Sequence, residues 1–258
     1  ANGKILKRTK FKNLYIPPAP SDAGSAIGCA LNQWYNVEKN TERKNNTNPF
    51  LGPFYTKEDI VKSLEKYDID IYYEKKLYEQ IIDIISDEII DGNVIGWFQG
   101  RSEFGARALG NRSILANPRD PQMKSRLNMM IKKREGFRPF APIVHREKQV
   151  KYFKYNRLVP YMNQVVKVKK EFVDKLPAIT HIDNSARIQS LDSKDNPRIY
   201  SLLTQLEIDN EYPIVINTSF NLKDQTMVLT PEDAIKTFLD CEMDTLVLGN
   251  YIIRKTII

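Results

Sequence analysis

Hydrophobic positions along this chain change period several times, and each change marks a predicted element. Ile27, Leu31 and Trp34 recur at helical spacing among small residues, which predicts a helix over 23–35 that another surface approaches closely. Before it, Tyr15-Ile-Pro-Pro-Ala-Pro20 predicts an extended strand and a turn. After it, residues 36–56 are polar, carry Asn45-Asn-Thr-Asn-Pro49 and Gly52-Pro53, and predict a linker. Helices are expected over 57–66 and 72–90, the second with Leu77, Ile81, Ile84, Ile85 and Ile89 on one broad face. Val94-Ile-Gly-Trp-Phe98 predicts a strand that delivers the chain into a loop rich in Gly and Arg. Asp120-Pro121 opens a helix to about residue 134, with Met123, Leu127, Met130 and Ile131 as its buried stripe and Lys124, Asn128 and Lys132 in line on another face. A β-rich stretch over 141–190 comes next. Then come a helix opened by Asn196-Pro197, a strand over 213–216, a helix opened by Thr230-Pro231 with Asp233 at its third position, and two strands through Val247 and Ile252. Strands and helices interleave, so the predicted fold class is α/β (α+β) with a mixed sheet, in two units covering 1–54 and 55–258.

Composition changes this picture little, and charge changes it more. With 258 residues, 41% of them hydrophobic and 28% charged, the chain has ample length for a core and the composition of a soluble globular protein. No apolar run approaches the roughly 18 to 20 residues of a membrane span, so no membrane role is expected. The net charge is +7, and residues 101–138 hold ten basic side chains against three acidic ones, so the whole excess lies in that segment. A localised anionic partner is one reading, and a solvated face is the other. Cys29 and Cys241 predict buried free thiols and hence a cytoplasmic setting. His145 and His181 lack the spacing of a zinc site, and no nucleophile-elbow motif accompanies them.

Candidate chemistry gathers at a few points. Gly100-Arg-Ser-Glu-Phe-Gly-Ala-Arg-Ala-Leu-Gly-Asn-Arg112 interleaves three Gly with three Arg, which suits a phosphate-binding turn and equally an irregular surface loop. The next helix adds Lys132, and Pro139 and Pro142 stiffen the chain that presents Arg138. Lys124, Lys133 and Arg134 read as solvated. Arg187 serves either as an anion ligand or as a structural partner of Asp183. Ile214-Val-Ile-Asn-Thr-Ser-Phe-Asn221 runs a hydrophobic strand into polar residues, a place where ligands collect in α/β sheets and where turn chemistry is also common.

Taken together, these segments resemble the C-terminal half of the NodU/CmcH family of carbamoyltransferases. The resemblance rests on the motif from Gly96-Trp-Phe-Gln-Gly-Arg to Asn117-Pro-Arg119, on Phe137-Arg-Pro-Phe-Ala-Pro142, on Thr180-His-Ile-Asp183 with Ala186-Arg187, on Asn217-Thr-Ser-Phe-Asn221 and on Thr230-Pro-Glu-Asp-Ala234. Ala106 departs from the family, which usually has Pro before this Arg. At the start, Asn2-Gly-Lys-Ile and Pro17-Pro-Ala-Pro-Ser-Asp-Ala-Gly24 are similar to the family's N-terminal ASKHA-type lobe.

The resemblance implies that residues 1–54 end that ATP- and metal-binding lobe, and that 55–258 form a YrdC-like carbamoyltransferase domain. It implies that most of the N-terminal lobe lies upstream of Ala1 and that the chain alone is incomplete for transfer. The implied chemistry joins carbamoyl phosphate and ATP into carbamoyl-adenylate, for O-carbamoylation of a hydroxyl-bearing sugar or natural product. Arg107, Lys132 and Arg138 would be catalytic. With Arg187, Asn217 and Ser219 they would bind carbamoyl phosphate and ATP. Asp22 would belong to a divalent metal site (Fe or Mg) whose histidines lie upstream of Ala1. The acceptor and any homo-oligomer stay open. Two other readings remain. A nucleic-acid-binding module would use the same basic segment, although stacking aromatics there are few, mainly Phe104, Phe137 and Phe140. A YrdC-like enzyme with another substrate, such as a threonylcarbamoyl-adenylate synthase or a hydrogenase-maturation carbamoyltransferase, would show other basic motifs.

Overall fold

Apolar runs with both sides covered make the centre of this molecule. The computed structural model describes residues 2–20, 22–42, 48–67 and 69–256; Ala1, Ser21 and the 45–47 part of the predicted linker motif lie outside the described residues. The strands are β1 (Ile71–Lys75), β2 (Ile95–Phe98), β3 (Arg112–Ala116), β4 (Ala141–His145), β5 (Gln164–Lys167), β6 (Ser185–Leu191), β7 (Ile214–Ser219), β8 (Thr245–Leu248) and β9 (Tyr251–Lys255). They form one mixed sheet in the order β1-β9-β8-β2-β3-β7-β4-β6-β5. The pairs β2/β8 and β4/β6 are parallel, and the other neighbours are antiparallel.

The helices are α1 (Asn2–Arg8), α2 (Asp22–Asn32), α3 (Lys57–Leu64), α4 (Tyr78–Ile90), α5 (Met123–Arg126), α6 (Gln149–Tyr152), α7 (Pro197–Asn210) and α8 (Pro231–Leu239). α4 and α7 cover one face of the sheet, where Ile81, Ile85, Ile199 and Leu202 meet Trp97, Leu115, Val215 and Val247. α3 and α8 cover the other, where Leu64, Ile235 and Phe238 meet Ile114, Ile216 and Leu246. Successive residues of a central strand therefore enter opposite cores, which is why β2, β3, β4 and β8 are buried throughout. Each of these side chains, once buried, contributes about 1.5–3 kcal/mol. At the sheet edge β5 alternates buried and exposed positions instead. No helix among the described residues is long and apolar enough to cross a membrane.

The mixed α/β class is as expected, and several elements differ from expectation. Residues 72–90 are not one helix: β1 occupies the first part and α4 begins only at Tyr78, because Tyr72 and Tyr73 suit a strand pairing with β9. Leu77 accordingly stands outside α4 and is exposed, while Ile82 joins the buried face. Residues 15–20 form no strand. The predicted helix 23–35 is present as α2 with a π turn, Gln33–Val37, yet it buries no residue, and Cys29 is exposed where a buried thiol was expected. Cys241 is buried and free.

The helix after Pro121 is also changed. α5 passes at once into a π turn, Leu127–Ile131, in which the Lys132 amide donates to Leu127 O five residues back at 2.8 Å. That wider turn rotates the helix surface, so Asn128 and Lys132 are buried and Met130 is exposed.

Candidate anion-binding site

β7 does not stop where its apolar run stops. It continues through Asn217, which pairs with both β3 and β4, and through Thr218 and Ser219, which pair with β3. This polar end forms the floor of a cavity of about 320 Å³. The loop before β3 brings Arg107 to it, the segment before β4 brings Arg134 and Arg138, and β6 with its preceding turn brings Arg187 and His181.

The Gly/Arg loop is held by a carboxylate. Glu103 Oε1 accepts from the amides of Leu109 at 2.7 Å, Asn111 at 2.8 Å and Arg112 at 3.3 Å, folding the chain around one buried acceptor. Gly105 and Gly110 sit at φ 126° and 112°, a region that side-chain-bearing residues avoid, and a Cβ on Gly110 would meet Asn196 and Ile199 at 2.9 Å. Arg112 stitches the loop base: it is fully buried, lies 3.5 Å from the Phe98 ring centroid, and donates to the carbonyls of Gln99, Asn111 and Gly100. Its pKa falls to about 10 because burial disfavours the charge. The loop's three arginines thus divide, with Arg112 structural, Arg101 exposed and Arg107 alone lining the cavity.

Four guanidinium groups line that cavity, and no Asp or Glu does so among the described residues. Arg138 pairs with Glu135 at 2.9 Å, both half exposed. Asp183, the sequence alternative for Arg187, instead pairs with Lys167 at 3.2 Å. Arg187 is driven down to about 10 by burial first and then by Arg107 and Arg134. Burial also lowers Arg134, and Arg138 adds to it. Mutual repulsion among cations with so little compensation is relieved by an anion. Asn128 fixes this wall from beneath. It accepts from Arg134 Nε at 2.8 Å and donates to Gly136 O at 3.1 Å and Arg138 O at 2.9 Å.

Of the residues expected to form one site, Arg107, Arg138, Arg187, Asn217 and Ser219 come together around the cavity. Lys132 lies beneath it. Its ammonium bonds Ser219 O, Asn221 O at 2.9 Å and Asn221 Oδ1 at 2.7 Å, so its donors are spent on the end of β7. Burial lowers it to about 7, with Arg134 adding to the effect. Asp22 is exposed at the start of α2 and is not in the lining. Among the described residues no cluster of three or more His, Cys, Asp or Glu could hold a metal ion. Arg134, read as solvated, and His181 are the additions. Larger cavities of about 540 and 450 Å³ exist, but in the first Arg146 and Lys194 face Asp192 and Asp195, and in the second Arg198 is bonded to Gln99, Gly249 and Asn250.

Residues 86–255 match the family model described as Carbamoyltransferase C-terminus, and residues 1–31 match Carbamoyltransferase N-terminus. The chain belongs to the carbamoyltransferase family. Among curated relatives, the uncharacterized protein sll1178 of Synechocystis is 43% identical over 99% of this chain and 46% of its own length. Nodulation protein NolO of Bradyrhizobium diazoefficiens is 38% identical over 98% of the chain and 47% of its own length. The 3'-hydroxymethylcephem-O-carbamoyltransferase of Amycolatopsis lactamdurans is 30% identical over 90% of the chain and 41% of its own length. The chain therefore spans about half the length of the curated relatives it matches. A solved structure of HypF from T. kodakarensis overlaps 72% of this chain and 23% of its own at a TM-score of 0.47 and 14% identity.

Proposed function

We propose that this carbamoyltransferase chain supplies the part of an O-carbamoyltransferase that binds carbamoyl phosphate. The supporting observation is the convergence of Arg107, Arg134, Arg138 and Arg187 on a cavity of about 320 Å³ without a lining carboxylate. A small dianion needs several fixed cations, and guanidinium groups meet phosphate oxygens in pairs. Donors held in place before the reaction also stabilise the charge that builds as phosphate departs. Ser219 and Asn217, at the cavity floor, orient the carbamoyl end.

In this reading carbamoyl phosphate, ATP and one water yield carbamoyl-adenylate, inorganic phosphate and pyrophosphate. An acceptor hydroxyl then attacks the carbamoyl carbon, AMP leaves, and the hydroxyl proton is released. Residues 55–258 form the YrdC-like domain that carries the first stage, and 1–54 belong to a lobe that carries the second. Titration calorimetry with carbamoyl phosphate tests the site. The Arg107→Ala, Arg138→Ala double variant is expected to lose at least about tenfold in affinity, since each charge-assisted bond is worth about 1.5–3 kcal/mol. Unchanged binding rejects the assignment.

A further inference from the structure

The cavity lining is not uniformly a set of donors. His181 Nε2 and Asn217 Oδ1 are both buried and have no hydrogen-bond partner among the described residues, and both residues line the same cavity as the arginines.

Local bonding decides what each atom can do. The chain turns tightly before β6: the His181 amide donates to Ser185 O at 2.8 Å, and Asn184 takes φ 56°. This brings His181 Nδ1 to 3.1 Å from Ser185 Oγ, which lies 2.5 Å from Asp183 Oδ1. Bonds from Ser185 and Lys167 hold Asp183 below the ordinary carboxylate range, so it is ionised and takes the single hydroxyl proton of Ser185. The Ser185 lone pair is left to accept from Nδ1–H. Nε2 is then the bare, accepting nitrogen of the ring. Burial, Lys124 and Arg187 lower the His181 pKa against Asp183, which keeps the imidazole neutral near neutral pH.

Asn217 is settled in the same way. Its Nδ2 donates to Ala108 O at 3.0 Å and to Gln189 Oε1 at 3.1 Å. The Gln189 amide is itself oriented by its bond to Leu109 O at 3.0 Å, so Asn217 Oδ1 is an acceptor by necessity.

Guanidinium groups only donate, and they match phosphate oxygens. A carbamoyl group carries an NH2 with two N–H donors, which guanidinium cannot receive. We infer that His181 Nε2 and Asn217 Oδ1 together read the carbamoyl NH2, which makes His181 a specificity-determining residue that separates carbamoyl phosphate from acyl phosphates of the same shape. The inference rests on the proposed function of the cavity. Acetyl phosphate puts a methyl where the NH2 would be and leaves both buried acceptors without donors, the situation that polar sites reject most strongly.

The experiment titrates the full chain near neutral pH with carbamoyl phosphate, acetyl phosphate and inorganic phosphate. The unsubstituted chain is expected to prefer carbamoyl over acetyl phosphate by about tenfold or more, the equivalent of one to two hydrogen bonds. His181→Phe should abolish most of that preference, and inorganic phosphate, which has no NH2 to be read, reports whether the guanidinium cavity is still formed in that variant. His181→Gln, which restores an accepting oxygen, should recover preference. If His181→Phe loses inorganic phosphate as well, His181→Gln decides: retained preference supports the inference, and lost preference overturns it. Equal binding of the two acyl phosphates by the unsubstituted chain, or an unchanged preference in His181→Phe, overturns the role of His181 while leaving the phosphate cavity standing. Failure of carbamoyl and inorganic phosphate to bind the unsubstituted chain rejects the cavity reading and this inference with it.

Discussion

The Gly/Arg loop over 100–112 and the basic segment over 124–138 look alike in sequence and divide their charges in the same manner. Each buries one cation and bonds it to main-chain oxygens: Arg112 to Gln99, Asn111 and Gly100, and Lys132 to Ser219 and Asn221. Each also sends cations to the cavity wall, Arg107 from the first and Arg134 and Arg138 from the second. They differ in what the buried cation holds. Arg112 sits on Phe98 beside Glu103 and closes its own loop, whereas Lys132 reaches across to another strand. A count of basic residues thus says where an anion is welcome, but the partners of each charge say which residues meet it.

Substitutions can break this comparison in order of expected size. Arg112→Met removes three carbonyl partners and leaves the buried Glu103 carboxylate without its nearby cation, so it should cost about 3–5 kcal/mol in chemical denaturation. A cost near that of a surface substitution would show that Arg112 is not the stitch of the loop. Lys132→Met should cost less, about 1–3 kcal/mol, because bonds to Ser219 and Asn221 are lost but a buried charge is lost with them. It should also weaken phosphate binding indirectly by loosening Ser219.

Lys132 carries a pH signature of definite sign. Its pKa falls from 10.5 in the unfolded chain to about 7 when folded, so between those values the unfolded state holds the extra proton and stability rises with pH. Denaturation across that window should show the rise flattened in Lys132→Met; an identical pH profile would contradict the assignment. Arg187→Met is expected to change stability by about 1 kcal/mol or less, since no carboxylate among the described residues pairs with it, while lowering phosphate affinity about tenfold. Smallest of all, Asp22→Asn should leave phosphate affinity unchanged in calorimetry, because Asp22 is exposed and outside the cavity lining.

Much of the fold was legible because local signals agreed with tertiary packing. Thr230 and Asp233 form the reciprocal cap expected from their spacing, and Asn196 accepts from the Ile199 amide at the start of α7. The polar end of β7 was visible as a break in an apolar run, and that break is the cavity floor. Where reading failed, the cause was a departure from a regular period. Lys124, Asn128 and Lys132 share a face only at four-residue spacing, and the π turn removes that spacing between the second and third. Arg134 looked solvated because nothing in the sequence shows that Asn128 reaches back to hold it. Ile84 was expected on the buried face of α4 and Ile82 was not, yet Ile82 is buried and Ile84 packs only partly against the same core. His181 was hidden for a different reason: a turn that orients a ring through Ser185 and Asp183 leaves no periodic trace.

The division between committed and free cations is tested most directly by a crystal structure of the full chain with inorganic phosphate bound. The anion is expected among Arg107, Arg134, Arg138 and Arg187, with Lys132 still bonded to Asn221 and Arg112 still on Phe98. An anion bound away from those four guanidinium groups, or one that draws the Lys132 ammonium off Asn221 to hold it directly, would contradict the account.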